Sequence, residues 1–128
     1  MTVWPFLFAG AYGVALGLLI LSWHLTPVPI RIFVTDDYSL GSHGQVWADW
    51  HAFGCLFVGA VNLHVYFHFL GGAAARSIAL PTVAIYTVWC VQNFLLMARA
   101  PRRFKSPMWL NVICCGVAAG GSAYFLFL

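Results

Sequence analysis

A histidine close to a carboxylate is a proton-transfer pair that works near neutral pH. Asp49 and His51 lie two residues apart, His24 lies upstream, and Asn93 and Asn111 follow, with His43, Gln92 and Arg99 as further polar neighbours. An imidazole can take and return a proton, and an asparagine amide can hold a substrate oxygen. His24, Asp49, His51, Asn93 and Asn111 are therefore the catalytic set if this chain is an enzyme. Its chemistry would be of isomerase, cyclase or oxygenase type on a sterol, terpenoid or polyketide. The same residues also have a structural explanation. Asp49 would cap a helix, the histidines would sit at headgroup level, and the asparagines would tie helices together.

Other chemistries find less support. His64 and His68 form an H-x-x-x-H pair on one helical face, a spacing that can hold a metal. No glutamate follows His64 and no carboxylate lies on that side, so they read as interfacial histidines and no metal is expected. His24 and His51 are the one pair level enough for bis-histidine haem, but at the membrane edge, so no cofactor is expected. Cys55, Cys90, Cys114 and Cys115 lie in apolar stretches without a C-x-x-C pair and read as small buried hydrophobes. There is no glycine-rich phosphate loop and no G-x-S-x-G. The basic residues concentrate between Arg99 and Lys105, not over a broad face, which argues against nucleic acid as a partner. Spans without charge at their midplane argue against a channel or transporter.

The elements that position these groups are set by the solvent. The composition is 62% hydrophobic and 7% charged, where a soluble domain carries roughly 25% charged residues. A mean hydropathy of +0.88 agrees: the lipid bilayer must surround most of this surface. Apolar runs of roughly 20 residues cross the hydrocarbon core at 1.5 Å per residue. They predict an all-α, polytopic four-helix transmembrane bundle, one domain over 1–128, with spans at about 5–24, 47–69, 78–97 and 108–128. Pro5 suits a first helical turn. Thr26, Pro27 and Pro29 close the first span. The connection 25–46 is long and lacks a clear helix, which marks it as functional or folded back on the bundle. Loops 25–46 and 98–107 hold Arg31, Arg99, Arg102, Arg103 and Lys105, against Arg76 on the other side, so these loops are expected to be cytoplasmic. Trp23, Trp47, Trp50 and Trp109 fall at the same interface, and Trp4 at the other. Asp36 and Asp37 would then face Arg102, Arg103 and Lys105 as a weak loop-to-loop ion pair.

Helices in lipid associate through close backbone approach and hydrogen bonds. Ala9, Gly13 and Gly17 share one face of the first span, and Gly116 and Gly120 one face of the fourth. These ridges serve packing within the chain or contact with a membrane-protein partner. His51, Cys55 and Asn62 share a face of the second span; Tyr86, Trp89, Cys90, Asn93 and Met97 of the third; Asn111, Cys115 and Ser122 of the fourth. Polar atoms on those faces must look inward. His24, Asp49, His51, Asn93 and Asn111 consequently gather at one end of the bundle, where a hydrophobic small molecule could bind.

Tyr38 to Gly54, with Ala52-Phe53-Gly54, resembles the start of the second span in the small ergosterol-biosynthesis scaffold family. Tyr86 to Pro101, with Asn93-Phe94-Leu95, resembles the third span of that family. The sequence differs from the family in having Ala52 where it has Arg, and Asn93 where it tends to have His. The resemblance implies a non-catalytic endoplasmic-reticulum protein that tethers lipid-modifying enzymes. The leading expectation is accordingly a small accessory or scaffold protein packing against membrane partners, with lipid or sterol metabolism as its setting. The alternative is the small membrane-embedded enzyme above. The membrane would be the endoplasmic reticulum in a eukaryote or the inner membrane in a bacterium.

Overall fold

A computed structural model describes residues 3–26, 28–34, 42–68 and 72–127. The elements are α1 (Trp4–Leu21), a 3₁₀ turn (Ser22–His24), α2 (Val28–Phe33), α3 (Ser42–Phe67), α4 (Gly72–Arg99) and α5 (Pro107–Phe127). Four helices are long and apolar enough to cross a membrane: Trp4–His24, Gln45–Phe67, Gly72–Arg99 and Pro107–Phe127. The chain is an all-α, multi-pass membrane protein built as a four-helix transmembrane bundle.

Two boundaries differ from the hydropathy reading, each for a local reason. α4 starts at Gly72 and not near 78, because Ala73, Ala74 and Ala75 favour helix and Ala75 packs into the core. Gly72 has φ +59°, a conformation that glycine adopts without strain. The first connection contains α2, with Pro29 in its opening turn. Proline ends a helix from within but is well suited to start one. α3 likewise begins at Ser42, which takes its first turns from the same connection.

The spans do not pack evenly. α1 lies closely along α3, and α4 along α5, with α1 also touching α5; α3 and α4, adjacent in sequence, touch little. Glycines make the first pair. A Cβ at Gly13 would lie 2.8 Å from the Cys55 carbonyl oxygen, and one at Gly59 would lie 2.6 Å from the Val14 amide nitrogen. The Ala9–Gly13–Gly17 ridge therefore packs inside the chain. Gly116 and Gly120 are exposed, and a Cβ at Gly120 would meet nothing within 4 Å.

Buried polar groups join the helices. The Tyr86 hydroxyl donates to the Ala9 carbonyl at 2.6 Å, tying α4 to α1. Asn62 Nδ2 donates to Val58 O at 2.8 Å and to Thr82 Oγ1 at 3.0 Å, tying α3 to α4. The Cys90 thiol reaches Val112 O at 3.4 Å, between α4 and α5. Two apolar clusters fill the interior: one around Ala9, Val58, Tyr86, Cys115 and Ala118, the other around Phe6, Val65, Ala75, Ala79 and Phe125.

The first and third connections meet at one end. The Lys105 N–H donates to Phe33 O at 2.8 Å, and Val34 and Phe104 form an isolated antiparallel bridge. This strap lies over the end of the bundle that carries the predicted polar set. The expected pairing of Asp36 and Asp37 with the basic loop falls outside the described residues.

Candidate functional site

The five predicted residues separate into two groups. Asp49 stands well inside α3, beyond its first turn at Ser42, so it is not the cap of that helix. Its Oδ1 instead accepts from Trp23 Nε1 at 3.0 Å and pairs with His24 Nε2 at 2.8 Å. The 3₁₀ turn brings both rings there, tilted against each other with centroids 4.0 Å apart. The His24 side chain is 50% exposed, and this pair sits on the outside of the bundle end.

Two residues along a helix turn a side chain by roughly 200°, so His51 points away from the carboxylate. Asp49 and His51 are thus not an acid–base pair. His51 lines a partly open cavity of about 240 Å³ together with Asn93 and Asn111. Its walls are Leu16 and Ile20 from α1, Ala48 from α3, Leu96 from α4 and Met108 from α5; Phe33, Val34 and Phe104 supply the strap side. The polar groups stand two turns or less from the ends of their spans, about 6–9 Å into the apolar layer.

The hydrogen bonding of this trio is incomplete. The His51 ring packs edge-on against Trp89, centroids 4.9 Å apart, and makes no hydrogen bond among the described residues. Asn93 is 7% exposed and its amide has no partner among them either. Asn111 is 8% exposed; its Oδ1 accepts from the Tyr12 hydroxyl, which also lies 3.7 Å from Cys115 Sγ. That bond fixes the amide and leaves Nδ2 to donate elsewhere. The sealed, unpartnered side-chain atoms among the described residues are elsewhere, Asn62 Oδ1 and Ser122 Oγ; the free donors and acceptors of this trio belong to residues that line the cavity. A cavity with apolar walls and three convergent polar groups is the usual form of a small-molecule site.

Several neighbours were not singled out from sequence. Phe33, Val34 and Phe104 were assigned to connections, whose return onto the bundle leaves no periodic pattern. Tyr12, whose hydroxyl donates to Asn111 Oδ1, has no partner within reach in sequence that would mark it. Gln92 and Arg99, grouped with the set by depth, are exposed. The His43 side chain lies outside the described residues. At the opposite end His64 and His68 are exposed with ring centroids 4.3 Å apart, and no cluster of three metal-ligating side chains occurs among the described residues.

The fold and this site define a four-span membrane protein with a polar-headed cavity near one membrane surface. No protein-family model matches the chain, and no curated protein or solved structure matches it.

Proposed function

We propose that this protein is a small membrane-embedded enzyme of isomerase or cyclase type. Its substrate is a hydrophobic small molecule whose oxygen-bearing part enters the His51–Asn93–Asn111 cavity. One observation carries the reading: Asn93, more than nine-tenths buried, directs an amide without a described partner into that space. The chemistry follows from the three groups. Amide N–H donors from Asn93 and Asn111 polarise a substrate carbonyl. A ring nitrogen of neutral His51 accepts a proton from the adjacent carbon, and the electron pair moves onto the carbonyl oxygen. In a β,γ-unsaturated carbonyl compound the resulting dienolate takes the proton back at the γ carbon, the double bond shifts into conjugation, and the isomerisation needs no external oxidant. His24 and Asp49 stand outside this step. The basic residues at this end support placing the cavity on the cytoplasmic side, in the endoplasmic reticulum or a bacterial inner membrane.

The test is extraction of the protein in mild detergent, followed by mass spectrometry of its organic extract. Wild type should retain an oxygen-bearing lipophilic compound that His51→Ala and Asn93→Leu lose at unchanged protein yield. Equal retention by all three proteins would refute the reading.

A second reading, an accessory subunit in lipid metabolism, rests on the exposed Gly116–Gly120 ridge, where another membrane helix can approach. It fits the scaffold-family resemblance. Gly120→Leu should then release a membrane-protein partner on pull-down while Asn93→Leu does not.

A further inference from the structure

A second cavity, of about 340 Å³, lies next to the first. The two share Leu16, Phe33 and Asn111 in their linings. The remainder of the second lining includes Tyr12, Ala15 and Leu19 of α1 and Leu110 and Cys114 of α5. Its character is different. The Tyr12 hydroxyl is already committed to Asn111, and the other side chains named offer no strong hydrogen bond. Its outer rim is open: Leu110 is 63% exposed and Ile32 40%. In a bilayer that rim faces acyl chains. A polar chamber and an apolar chamber therefore adjoin along Leu16, Phe33 and Asn111; both are partly open, and the exposed Leu110 gives the apolar one a rim toward the lipid.

The polar chamber also limits the headgroup. His51, Asn93 and Asn111 carry no formal charge when the imidazole is neutral, and among the described residues no Lys, Arg, Asp or Glu lines either cavity. A phosphate or carboxylate placed there would lose its hydration without a counter-charge, which is prohibitive at this depth. A hydroxyl or carbonyl matches the available donors and acceptors. Tyr12 occupies one lone pair of Asn111 Oδ1 and holds the amide in place, which leaves both Nδ2 hydrogens to donate to an acceptor oxygen of the ligand.

We propose that the substrate is a neutral, single-headed lipid: its hydroxyl or carbonyl oxygen occupies the His51–Asn93–Asn111 chamber, and its apolar tail runs past Leu16 and Phe33 into the Ala15–Leu19–Leu110–Cys114 chamber, which it enters from the bilayer. This rests on the cavity reading under the proposed function and adds the tail site, the head charge and the route.

The full chain, reconstituted in phosphatidylcholine nanodiscs, is irradiated with hexadecanol bearing a diazirine at mid-chain, and the labelled peptides are mapped by mass spectrometry. A short alcohol with its diazirine near the hydroxyl is the second probe. The expected result is saturable labelling by the long probe in Ala15–Leu19 or Leu110–Cys114. Unlabelled hexadecanol should compete at least tenfold better than hexadecyl phosphate or palmitate. Ala15→Phe should cut the long-probe labelling about tenfold and leave the short probe's labelling at His51 or Asn93 unchanged. Saturable labelling by the short probe alone, or long-probe labelling that Ala15→Phe does not alter, overturns the tail site while the polar cavity stands. Equal competition by hexadecyl phosphate overturns the neutral head. Absence of saturable labelling by either probe overturns the cavity reading and this proposal with it.

Discussion

The two ends of the bundle use similar residues for different ends. Near Phe67, α3 carries Asn62, and that amide nitrogen is tied to Val58 O and Thr82 Oγ1. Around it Phe6 and Phe125 meet edge to face with centroids 4.8 Å apart, and Val65, Ala75 and Ala79 complete a filled core. At the other end Asn93 is buried almost as deeply but has no described partner and faces a cavity instead. Small side chains let helices close at the first end. At the second, α2 and the third connection hold the helix ends beneath a strap. An asparagine in a membrane helix is therefore not informative by type. Asn62 Oδ1 is itself buried without a partner among the described residues, so what separates the two positions is the Thr82 hydroxyl that a neighbouring helix offers the Asn62 amide nitrogen and the open space that Asn93 lines instead.

Substitutions can break or sharpen this contrast. The largest effect is expected at the α1–α3 seam. Gly59→Leu places side-chain atoms where a Cβ alone would already lie 2.6 Å from the Val14 nitrogen and 2.9 Å from the Gly10 carbonyl oxygen. The cost should reach or exceed the ~1–3 kcal/mol typical of overpacking. Thermal unfolding in detergent would show it as a lowered midpoint and aggregation; an unchanged midpoint would contradict the close helix approach. Next comes Tyr86→Phe, which removes the fully buried hydroxyl bonded to Ala9 O. Interhelical hydrogen bonds in membranes average about 0.6 kcal/mol and reach about 1.7, so a loss of about 1 kcal/mol is expected in equilibrium unfolding. Asp49→Asn should do less, since exposed ion pairs contribute about 0–1 kcal/mol. It should leave capture of the short alcohol probe unchanged, whereas His51→Ala abolishes that capture. Loss of capture in Asp49→Asn would return the carboxylate to the site. The smallest effect is expected of His64→Ala, whose ring is exposed beside His68 with no third ligand among the described residues.

Much of the architecture was legible because lipid imposes simple rules. Span number followed from apolar run length, and the inward faces followed from the 3.6-residue period. Cys55, Asn62, Tyr86, Asn93, Met97, Asn111, Cys115 and Ser122 are all buried as that period requires. The intramolecular role of Gly13 was open in sequence, because a small-residue ridge does not name its partner. The division of the polar cluster was not legible either. Depth grouped Asp49 with His51, but the direction of each side chain depends on helical phase and on the 3₁₀ turn that carries Trp23 and His24 to Asp49. α2 was hidden because Pro29, close behind Pro27 in sequence, reads as a terminator. The strap formed by Phe33, Val34, Phe104 and Lys105 joins residues far apart in sequence, and no local pattern announces it.

The most direct measurement is the unfolding free energy of Asn93→Leu beside wild type, in nanodiscs made from pure synthetic phospholipid. If the Asn93 amide is kept for a ligand, the leucine variant should be as stable as wild type or more so, because an unpaired polar group has been replaced by one that lipid-like walls accept. A loss of about 1 kcal/mol or more, of the size a helix-tying hydrogen bond supplies, would show that Asn93 holds the bundle together and would contradict the account.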